Sequence, residues 1–293
     1  MATIGFIGLG AMGGQIASRL FDKGHSVTGY NRTAAKAQWL IDRGVRSAAS
    51  PRAAAQGVDV VFVMVTDSQA LEAIASGPDG LLEGLTPGQT VIDMSTVSPT
   101  TSRQLSMQVK ARGAEMLDCP VSGSPLTLQQ GKLTMMVGGD RSAFERVQPL
   151  LLDIVAKATL VGGNGAAVSM KIALNVSIGA QLLAFSEGIL LAEKSGIDRK
   201  TAVDVFLSSA LASPMLQYRG PFVLDMPAQA WFDIRMLQKD ASLALALGRE
   251  LGVPLPTTAI ANEMLTAARG LGLEAKDCAA LFDVLATLAG VER

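Results

Sequence analysis

The chain has 293 residues, of which 49% are hydrophobic and 17% are charged, and its formal net charge is −1. This composition is typical of a compact globular protein, and it offers neither a basic surface for nucleic acid nor a charged tail that would favour disorder. Because a chain of this length exceeds what one hydrophobic core usually accommodates, two domains are expected.

Cysteine and histidine usage limits the chemistry that the chain can carry. Cys119 and Cys278 are far apart and have no neighbours at metal-ligand spacing, so reduced thiols are expected. His25 is the only histidine, and its Lys-Gly-His turn predicts a solvated residue. A histidine-based metal site is therefore excluded, and an acid–base catalyst must be Lys, Tyr, Asp, Glu or Cys.

The sequence also indicates a location. Because a strand pattern begins at the first residues, without a basic leader, a cytoplasmic protein is expected.

The first predicted element is a buried strand that leads into a glycine-rich turn. An apolar run at 3–7 is followed by Gly-Leu-Gly-Ala-Met-Gly at 8–13, and a helical pattern begins there. In this G-x-G-x-x-G spacing the first glycine permits a tight turn, the second admits a pyrophosphate, and the third lets the helix pack on the strand. The N–H groups at the helix start favour negative charge. The alternative is an ordinary glycine-rich turn. The residues predicted to bind a dinucleotide here are Gly8, Leu9, Gly10, Ala11 and Met12.

The end of the second predicted strand, at 26–30, indicates which dinucleotide binds. In NAD-binding versions an acidic residue near this point holds the ribose 2′-hydroxyl. Here the strand is followed by Asn31, Arg32 and Thr33. A carboxylate would repel a 2′-phosphate, whereas a guanidinium can bind it through two hydrogen bonds. The sequence therefore predicts NADP(H) in preference to NAD(H), and the alternative for Arg32 is a solvated loop cation.

Strand and helix patterns alternate through the remainder of the first half. The strand patterns lie at 45–48, 58–65, 89–94, 114–118, 133–138 and 158–161. This alternation predicts a doubly wound sheet with right-handed crossovers, in which ligands lie beyond the carboxyl ends of the strands. Met64, Val65 and Thr96 occupy such ends and are predicted to contact the cofactor.

A small polar loop follows the strand pattern at 114–118. It reads Asp-Cys-Pro-Val-Ser-Gly-Ser-Pro at 118–125. Its backbone N–H groups and hydroxyls suit an anionic ligand such as a carboxylate. The residues of the loop alone do not distinguish such a site from a plain turn.

The second half of the chain has a different character. Helical periodicity runs to 194 without a proline and recurs at 202–208, 234–251, 257–269 and 276–289, with no strand pattern between. We predict an N-terminal Rossmann-type α/β domain over 1–163 and an all-α domain over 164–293, joined by a long helix. The apolar stretch at 177–192 contains Glu187, which favours a buried helix over a membrane span.

Two sites in the helical half carry polar residues among apolar ones. Lys171 and Asn175 are four positions apart and therefore share one face of the long helix. A lysine in such surroundings either extends its amine to solvent or is functional. Lys239-Asp240 lies in another helical stretch, and by pattern alone it is a solvated helix face.

Together these motifs make the chain similar to the β-hydroxyacid dehydrogenase family, which includes 3-hydroxyisobutyrate dehydrogenase, tartronate semialdehyde reductase and glyoxylate/succinic semialdehyde reductase. The resemblance rests on four stretches in order: 8–13, 118–123, 165–175 and 239–240. It implies that Lys171 is the catalytic acid or base and that the substrate is held by Ser122, Gly123 and Asn175. It also implies that Lys239 lies near the cofactor and that the protein forms a homodimer or homotetramer. The activity implied is hydride transfer between NADP(H) and a small carboxylated aldehyde or β-hydroxy acid.

Two positions depart from the family pattern. Ser124, followed by Pro125, stands where a second glycine is usual, and Ala167 replaces a glycine four positions before the lysine. The first departure alters the predicted substrate loop and leaves the substrate open.

Three alternatives remain. Imine reductases share this architecture and NADPH, although they typically carry Asp or Tyr in place of Lys171. A non-catalytic NADP-binding dimer would retain the cofactor motifs only. 6-Phosphogluconate dehydrogenase resembles the first half, but those enzymes are longer, and the second half shows no phosphate-binding cluster.

Overall fold

The computed structural model describes residues 1–291, and its packing separates two compact units. The first is Met1–Lys171, and the second begins at Ile172. The division falls inside the long helix, after the predicted boundary at 163. The first turns of that helix belong with the first unit because they are hydrogen-bonded to its sheet.

The first unit is a sheet flanked by helices. Its strands are β1 Thr3–Ile7, β2 Ser26–Tyr30, β3 Arg46–Ser47, β4 Val60–Val63, β5 Thr90–Asp93, β6 Glu115–Asp118, β7 Val121–Ser122, β8 Thr134–Gly138 and β9 Lys157–Gly162. Its helices are α1 Ala11–Asp22, α2 Gln38–Ile41, α3 Pro51–Ala55, α4 Ser68–Ser76, α5 Leu81–Gly84, α6 Pro99–Lys110, α7 Pro125–Gln129 and α8 Arg141–Leu152, with a 3-10 turn at Ala34–Ala37.

The strand order is β3-β2-β1-β4-β5-β6-β8-β7, with β9 paired to β8. Strands β1 to β6 are mutually parallel, which confirms the predicted Rossmann-type sheet. The chain crosses from one side of the sheet to the other at β1 and β4, and ligands of such sheets bind at that reversal. Strand β8 runs antiparallel to β6 and β7. The sequence did not predict this reversal, because periodicity does not encode strand direction.

Burial of both sheet faces explains the apolar strand patterns. Every residue of β4 is buried, and Phe62 stacks on Phe6 of β1 with 5.7 Å between ring centroids.

Local signals determine where helices start. The Ser98 hydroxyl caps α6 by accepting a hydrogen bond from the N–H of Thr101, and Pro99 occupies the first helical position. Between β2 and β3 the chain forms a 3-10 turn followed directly by the short helix α2.

The prediction that His25 is solvated is wrong. Its side chain is 10% exposed, and Nε2 lies 3.0 Å from Oδ2 of Asp153. Nδ1 accepts a hydrogen bond from the N–H of Ala2 at 3.2 Å. The ring therefore joins the start of the chain to the end of α8, a contact that local sequence cannot reveal.

The part of the second unit that the structure describes consists of helices and contains no β-strand. A long helix, α9 Ala166–Lys194, runs from the first unit into it. The helices that follow are α10 Arg199–Ser208, α11 Pro214–Arg219, α12 Ile234–Leu251, α13 Pro256–Gly270 and α14 Leu281–Leu288, with 3-10 turns at Gly220–Val223 and Cys278–Ala280. This arrangement confirms the predicted all-α second half. The last predicted helix starts later than expected, because Asp277 caps a 3-10 turn ahead of α14.

Helix α9 is only partly buried, contrary to the prediction for 177–192. Within this stretch Ser177, Ala184, Glu187 and Leu191 are exposed, and before it Met170 and Leu174 are 42% and 40% exposed. Among the described helices, α9 alone has the length and apolar composition to cross a bilayer, a test that core helices of soluble proteins also pass. Helix α9 therefore has an exposed side of mixed character in addition to its buried side.

A buried ion pair organises the second unit. Arg219 Nε lies 3.2 Å from Asp277 Oδ1, and the two residues are 3% and 0% exposed. Asp277 Oδ2 also accepts hydrogen bonds from the N–H groups of Trp231 and Phe232, at 3.1 and 3.2 Å. Arg219 Nη1 donates to the Cys278 sulfur at 3.3 Å. The carboxylate thus ties the end of α11 to the segments before α12 and α14.

Candidate functional site

The glycine turn predicted from the sequence lies at the carboxyl end of β1. Gly8 has a φ of +99°, and a Cβ there would lie 2.1 Å from the Met64 carbonyl oxygen. A Cβ on Gly13 would lie 2.1 Å from the Gly8 carbonyl oxygen. These positions need glycine because the turn and the start of α1 approach backbone closely.

Gly10 differs from its two neighbouring glycines. It is the N-cap of α1, has an ordinary φ of −72° and makes no side-chain cap, and a Cβ there would meet no atom within 4 Å. The first turn of α1 carries no acidic residue. Open space beside uncapped N–H groups suits a pyrophosphate, so these residues fit a dinucleotide.

Replacement of Gly10 by alanine should therefore affect cofactor binding, whereas replacement of Gly13 by alanine should affect stability. We expect Gly10→Ala to keep the unfolding midpoint of the wild type and to weaken NADP(H) binding by at least about tenfold, since the methyl group occupies the ligand's space. Gly13→Ala should lower the unfolding midpoint, because its Cβ collides with backbone. Thermal unfolding and fluorescence titration with NADPH measure both effects, and a Gly10→Ala protein that binds NADPH normally would contradict the predicted pose.

Asn31 holds the glycine turn in place. Its Oδ1 accepts a hydrogen bond from the Leu9 N–H at 3.1 Å, and its Nδ2 donates to the Thr33 carbonyl at 2.7 Å. Arg32 and Thr33 are exposed, and Leu9 is buried in the core. Asn31 also lines a cavity of about 140 Å³ together with Gly29 and α2 residues. The amide therefore gives a structural reason for a neutral residue at this strand end.

The ends of β4 and β5 meet beside the turn. The Val65 N–H donates to the Ser95 hydroxyl at 3.0 Å, and the Met64 N–H donates to the Ile7 carbonyl at 2.9 Å. Met64, Val65 and Thr96 are half-buried at this edge, and the glycine turn adjoins it. The structure thus gathers three of the predicted cofactor-binding segments at the carboxyl ends of adjacent strands.

The predicted substrate loop is more ordered than expected. Ser122 belongs to β7 and pairs with Thr134 of β8. Gly123 has a φ of +139°, and a Cβ there would lie 2.2 Å from the Thr127 hydroxyl. Ser124 caps α7, because its N–H donates to the Thr127 hydroxyl at 2.6 Å while its own hydroxyl accepts from the Thr127 N–H at 3.4 Å. The departure from the family glycine is therefore a capping box.

Two buried carboxylates lie at the ends of the strands that precede this loop, β5 and β6. Asp93 and Asp118 face each other in register on β5 and β6, and both are 0% exposed. Burial raises the pKa of Asp93 to about 7, although the Ser95 N–H donates to its Oδ1 at 3.0 Å. Burial also raises the pKa of Asp118, against several hydrogen bonds that lower it. Burial raises the pKa of the Cys119 thiol well above its usual range, so this cysteine is not a nucleophile.

Asp93 should make the wild type less stable as pH rises. An unfolded aspartate titrates near ~3.9, whereas Asp93 in the folded chain has a pKa of about 7. The stability that Asp93 contributes is therefore fully present below pH ~4 and is lost between pH ~4 and pH 7, by at most roughly 4 kcal/mol. We expect Asp93→Asn to become more stable than the wild type above pH 7. Urea unfolding at pH 5 and pH 8 measures this, with Asp59→Asn as control.

The control has the opposite linkage. Hydrogen bonds from Thr3 lower the pKa of Asp59, so its contribution is complete above pH ~4 and constant from pH 5 to pH 8. If the difference between Asp93→Asn and the wild type stays the same at both pH values, Asp93 is ionised throughout and the prediction is wrong.

On α9, Lys171 lies in the first unit, and Asn175 follows one turn later at the start of the second. Asn175 is 7% exposed, and its Nδ2 donates to Asp240 Oδ2 at 2.5 Å. Asp240 Oδ1 lies 2.8 Å from Lys239 Nζ. The pattern-based interpretation of 239–240 as a solvated face is wrong, since Asp240 is 3% exposed.

Asp240 was named from the sequence only together with Lys239 and was given no role of its own there. Its carboxylate joins Asn175 and Lys239, two residues that the family resemblance assigned separately. The apolar flanks of 239–240 were the available signal, because an aspartate on the inner face of a helix needs buried partners. Among the residues that the structure describes, no group of three His, Cys, Asp or Glu side chains could hold a metal.

Comparison with known proteins places the chain among nicotinamide-dependent enzymes. The NAD-binding domain of 6-phosphogluconate dehydrogenase matches residues 3–163, and the NAD-binding family of NADP-dependent 3-hydroxyisobutyrate dehydrogenase matches 165–285. Glyoxylate/succinic semialdehyde reductase 2 of Arabidopsis thaliana is 35% identical over 97% of this chain and 79% of its own length. A solved 3-hydroxyisobutyrate dehydrogenase from Salmonella typhimurium has a TM-score of 0.89 and 28% identity, covering 96% of this chain and 99% of its own.

Two further comparisons concern the alternatives. Cytokine-like nuclear factor N-PAC of Xenopus tropicalis is 34% identical over 95% of this chain, which spans only 52% of that relative. An imine reductase from Pseudomonas sp. has a TM-score of 0.64 over 97% of this chain and 99% of its own, at 19% identity. This last likeness shows a shared fold alone.

Proposed function

The chain belongs to the β-hydroxyacid dehydrogenase family, and we propose that it reduces a small carboxylated aldehyde with NADPH, using Lys171 as the general acid. It is an NAD(P)-dependent hydroxyacid dehydrogenase. The aldehyde substrate, the role of Lys171 and the choice of NADPH are our proposal. The reverse reaction would oxidise the corresponding β-hydroxy acid.

One observation carries the proposal. The end of β6 leads directly into Ser122 and Gly123, and the carboxylate of Asp118 at that end binds the first turn of α9. Lys171 lies one turn further along α9. The loop that we propose binds the substrate carboxylate and the helix that carries the proposed proton donor are therefore both attached to the end of β6. Ligands of such sheets bind at this edge.

The chemistry follows from the residue types. NADPH would supply the hydride, and the protein supplies position and charge. The Ser122 hydroxyl and the N–H groups near Gly123 suit the substrate carboxylate. Lys171, as an ammonium, would hydrogen-bond the carbonyl oxygen and donate a proton as alkoxide charge develops.

Two further residues are joined by the Asp240 carboxylate. Asn175, which donates a hydrogen bond to it, would orient the lysine or the substrate. Lys239, which is paired with the same carboxylate, would lie near the cofactor.

Arg32 supports the preference for NADP(H) over NAD(H), because it is exposed beside the strand end and no acidic residue follows β2 there. We expect Arg32→Asp to lower kcat/KM for NADPH relative to NADH by at least about tenfold, since a charged hydrogen bond contributes roughly 1.5–3 kcal/mol. Arg141, on the exposed start of α8 away from this edge, is the control. Steady-state kinetics with both cofactors measures the ratio, and an unchanged ratio would show that Arg32 does not bind the 2′-phosphate.

We further propose that the chain forms a homodimer or homotetramer, as the family resemblance implies. Leu174 and Leu191, which are exposed on α9, are apolar side chains that a second copy could cover. Cys119 and Cys278 are buried and form no disulfide, which supports a reducing compartment. A cytoplasmic location stays a prediction.

The test is NADPH oxidation across a panel of carbonyl compounds. Glyoxylate, succinic semialdehyde, tartronate semialdehyde and methylmalonate semialdehyde are compared with a cyclic imine, and NADH is run alongside. A carboxylated aldehyde should have the highest kcat/KM, with NADPH preferred. Faster turnover of the imine would favour the imine reductase alternative. NADPH binding without turnover of any compound would favour a non-catalytic protein.

A further inference from the structure

The Asp118 carboxylate makes three long-range hydrogen bonds to the start of α9. Its Oδ1 accepts from the Gly165 N–H at 2.9 Å, and its Oδ2 accepts from the N–H groups of Ala167 and Val168 at 3.0 and 3.2 Å. The side chain is 0% exposed. These are N–H groups that a helix start leaves without internal partners, and a carboxylate there also interacts favourably with the helix dipole.

Other contacts fix the carboxylate itself. Asn164 Nδ2 donates to the Met116 carbonyl at 2.9 Å and lies 3.4 Å from Asp118 Oδ1. A Cβ on Gly138 of β8 would lie 2.6 Å from the carboxylate, so only glycine leaves room for it. The position of Asp118 is therefore set by β6, β8 and the turn before α9 together.

This cap differs from the other aspartate caps in the chain. Asp67, Asp140, Asp198 and Asp233 each cap the helix that follows them directly in sequence. Asp118 instead binds residues 47, 49 and 50 positions away. A local cap stabilises a helix wherever the helix lies, whereas a distant one also fixes where the helix begins relative to the sheet.

We propose that Asp118 is a positioning residue that sets the placement of Lys171 relative to the Ser122 loop. The inference rests on the proposed function, which gives those two residues their roles. Lys171 follows Val168 by one helical turn, and Ser122 follows Asp118 within the same strand-to-loop segment. The carboxylate thus fastens the start of the helix that carries Lys171 to the strand that leads into Ser122. A shift of about 1 Å between reacting groups can lower a rate about 100-fold.

The test compares Asp118→Asn with Asp140→Asn. Asparagine keeps the shape of the side chain but loses the charge, and it replaces one accepting oxygen with an amide donor. Asp140 makes an analogous cap, accepting from the N–H groups of Ser142 and Ala143, but it caps α8, which carries no proposed site residue. Both variants lose a charged cap, so the pair separates a general loss of stability from a positioning effect.

We expect Asp118→Asn to lower kcat for the best aldehyde of the panel by about 10- to 100-fold. Its Kd for NADPH should stay within about threefold of the wild type, because the glycine turn does not contact Asp118. Amide hydrogen exchange of 165–168 should become faster in Asp118→Asn and stay unchanged in Asp140→Asn. Asn164→Ala, which removes one support of the carboxylate, should move kcat and exchange in the same direction by a smaller factor.

The outcomes separate the inference from the function on which it rests. A wild type that reduces the aldehyde, together with an Asp118→Asn variant of normal kcat, overturns the positioning role alone. Equal losses of kcat in Asp118→Asn and Asp140→Asn also overturn it, since they indicate a general stability effect. A wild type inactive on the whole panel overturns the proposed function and the inference with it. If Asp118→Asn does not fold, Asn164→Ala decides by the same criteria.

Discussion

Replacement of Lys171 by alanine is expected to lower kcat for aldehyde reduction by about 10²–10⁴-fold, the usual contribution of a positioned general acid. The variant should retain its Kd for NADPH, because the glycine turn and Asn31 contacts are untouched. Stopped-flow absorbance at single turnover measures hydride transfer directly and separates it from product release.

Lys194 provides the matched control for this variant. It lies in the last turn of the same helix and is exposed, so Lys194→Ala removes an equal charge at the opposite end of that helix. Its kcat should equal that of the wild type. A Lys171→Ala enzyme with normal kcat, or one whose loss lies wholly in KM, would show that Lys171 binds substrate without donating the proton.

Replacement of Asp277 by alanine is expected to destabilise the second unit by about 3–5 kcal/mol. Removing one partner of a buried ion pair leaves the other charge uncompensated, and Arg219 is 3% exposed. The N–H groups of Trp231 and Phe232 would lose their acceptor as well. Urea unfolding followed by the fluorescence of Trp231, in a Trp39→Phe background, reports on this unit.

The comparison variant is Asp204→Ala, which breaks the exposed Lys200–Asp204 pair on α10. Exposed pairs contribute little because water and salt screen them, so no measurable shift of the midpoint is expected. Equal midpoints for Asp277→Ala and Asp204→Ala would show that Arg219 finds another partner or water, and that the pair does not organise the unit.

Local patterns were sufficient to predict the N-terminal architecture and the glycine turn. Gly8 is required by its positive φ in the turn and Gly13 by the nearby Gly8 carbonyl, so their spacing is visible in a short stretch of sequence. The buried strand β4 and the Ser98-Pro99 start of α6 were predictable for the same reason. Each depends on periodicity or on a cap made by adjacent residues.

Features that depend on distant contacts were not predictable in this way. The antiparallel direction of β8, the burial of His25 and the link between Asp240 and Asn175 all join residues far apart in sequence. Asp118 was identified only as the start of a polar loop, although its carboxylate binds the start of α9. Ser124 is the exception, since its capping box with Thr127 is local and the serine–proline signal was available.

Transfer of deuterium from the cofactor tests the central claim most directly. The wild type would be incubated with NADPH that carries deuterium at both positions of the nicotinamide C4 and with the best aldehyde of the panel, and the product hydroxy acid analysed by mass spectrometry and NMR. We predict one deuterium on the carbon that was the aldehyde carbon, and its loss from the cofactor at the same rate. A hydroxy acid without deuterium, or label released only to water, would contradict direct hydride transfer and the function proposed for this chain.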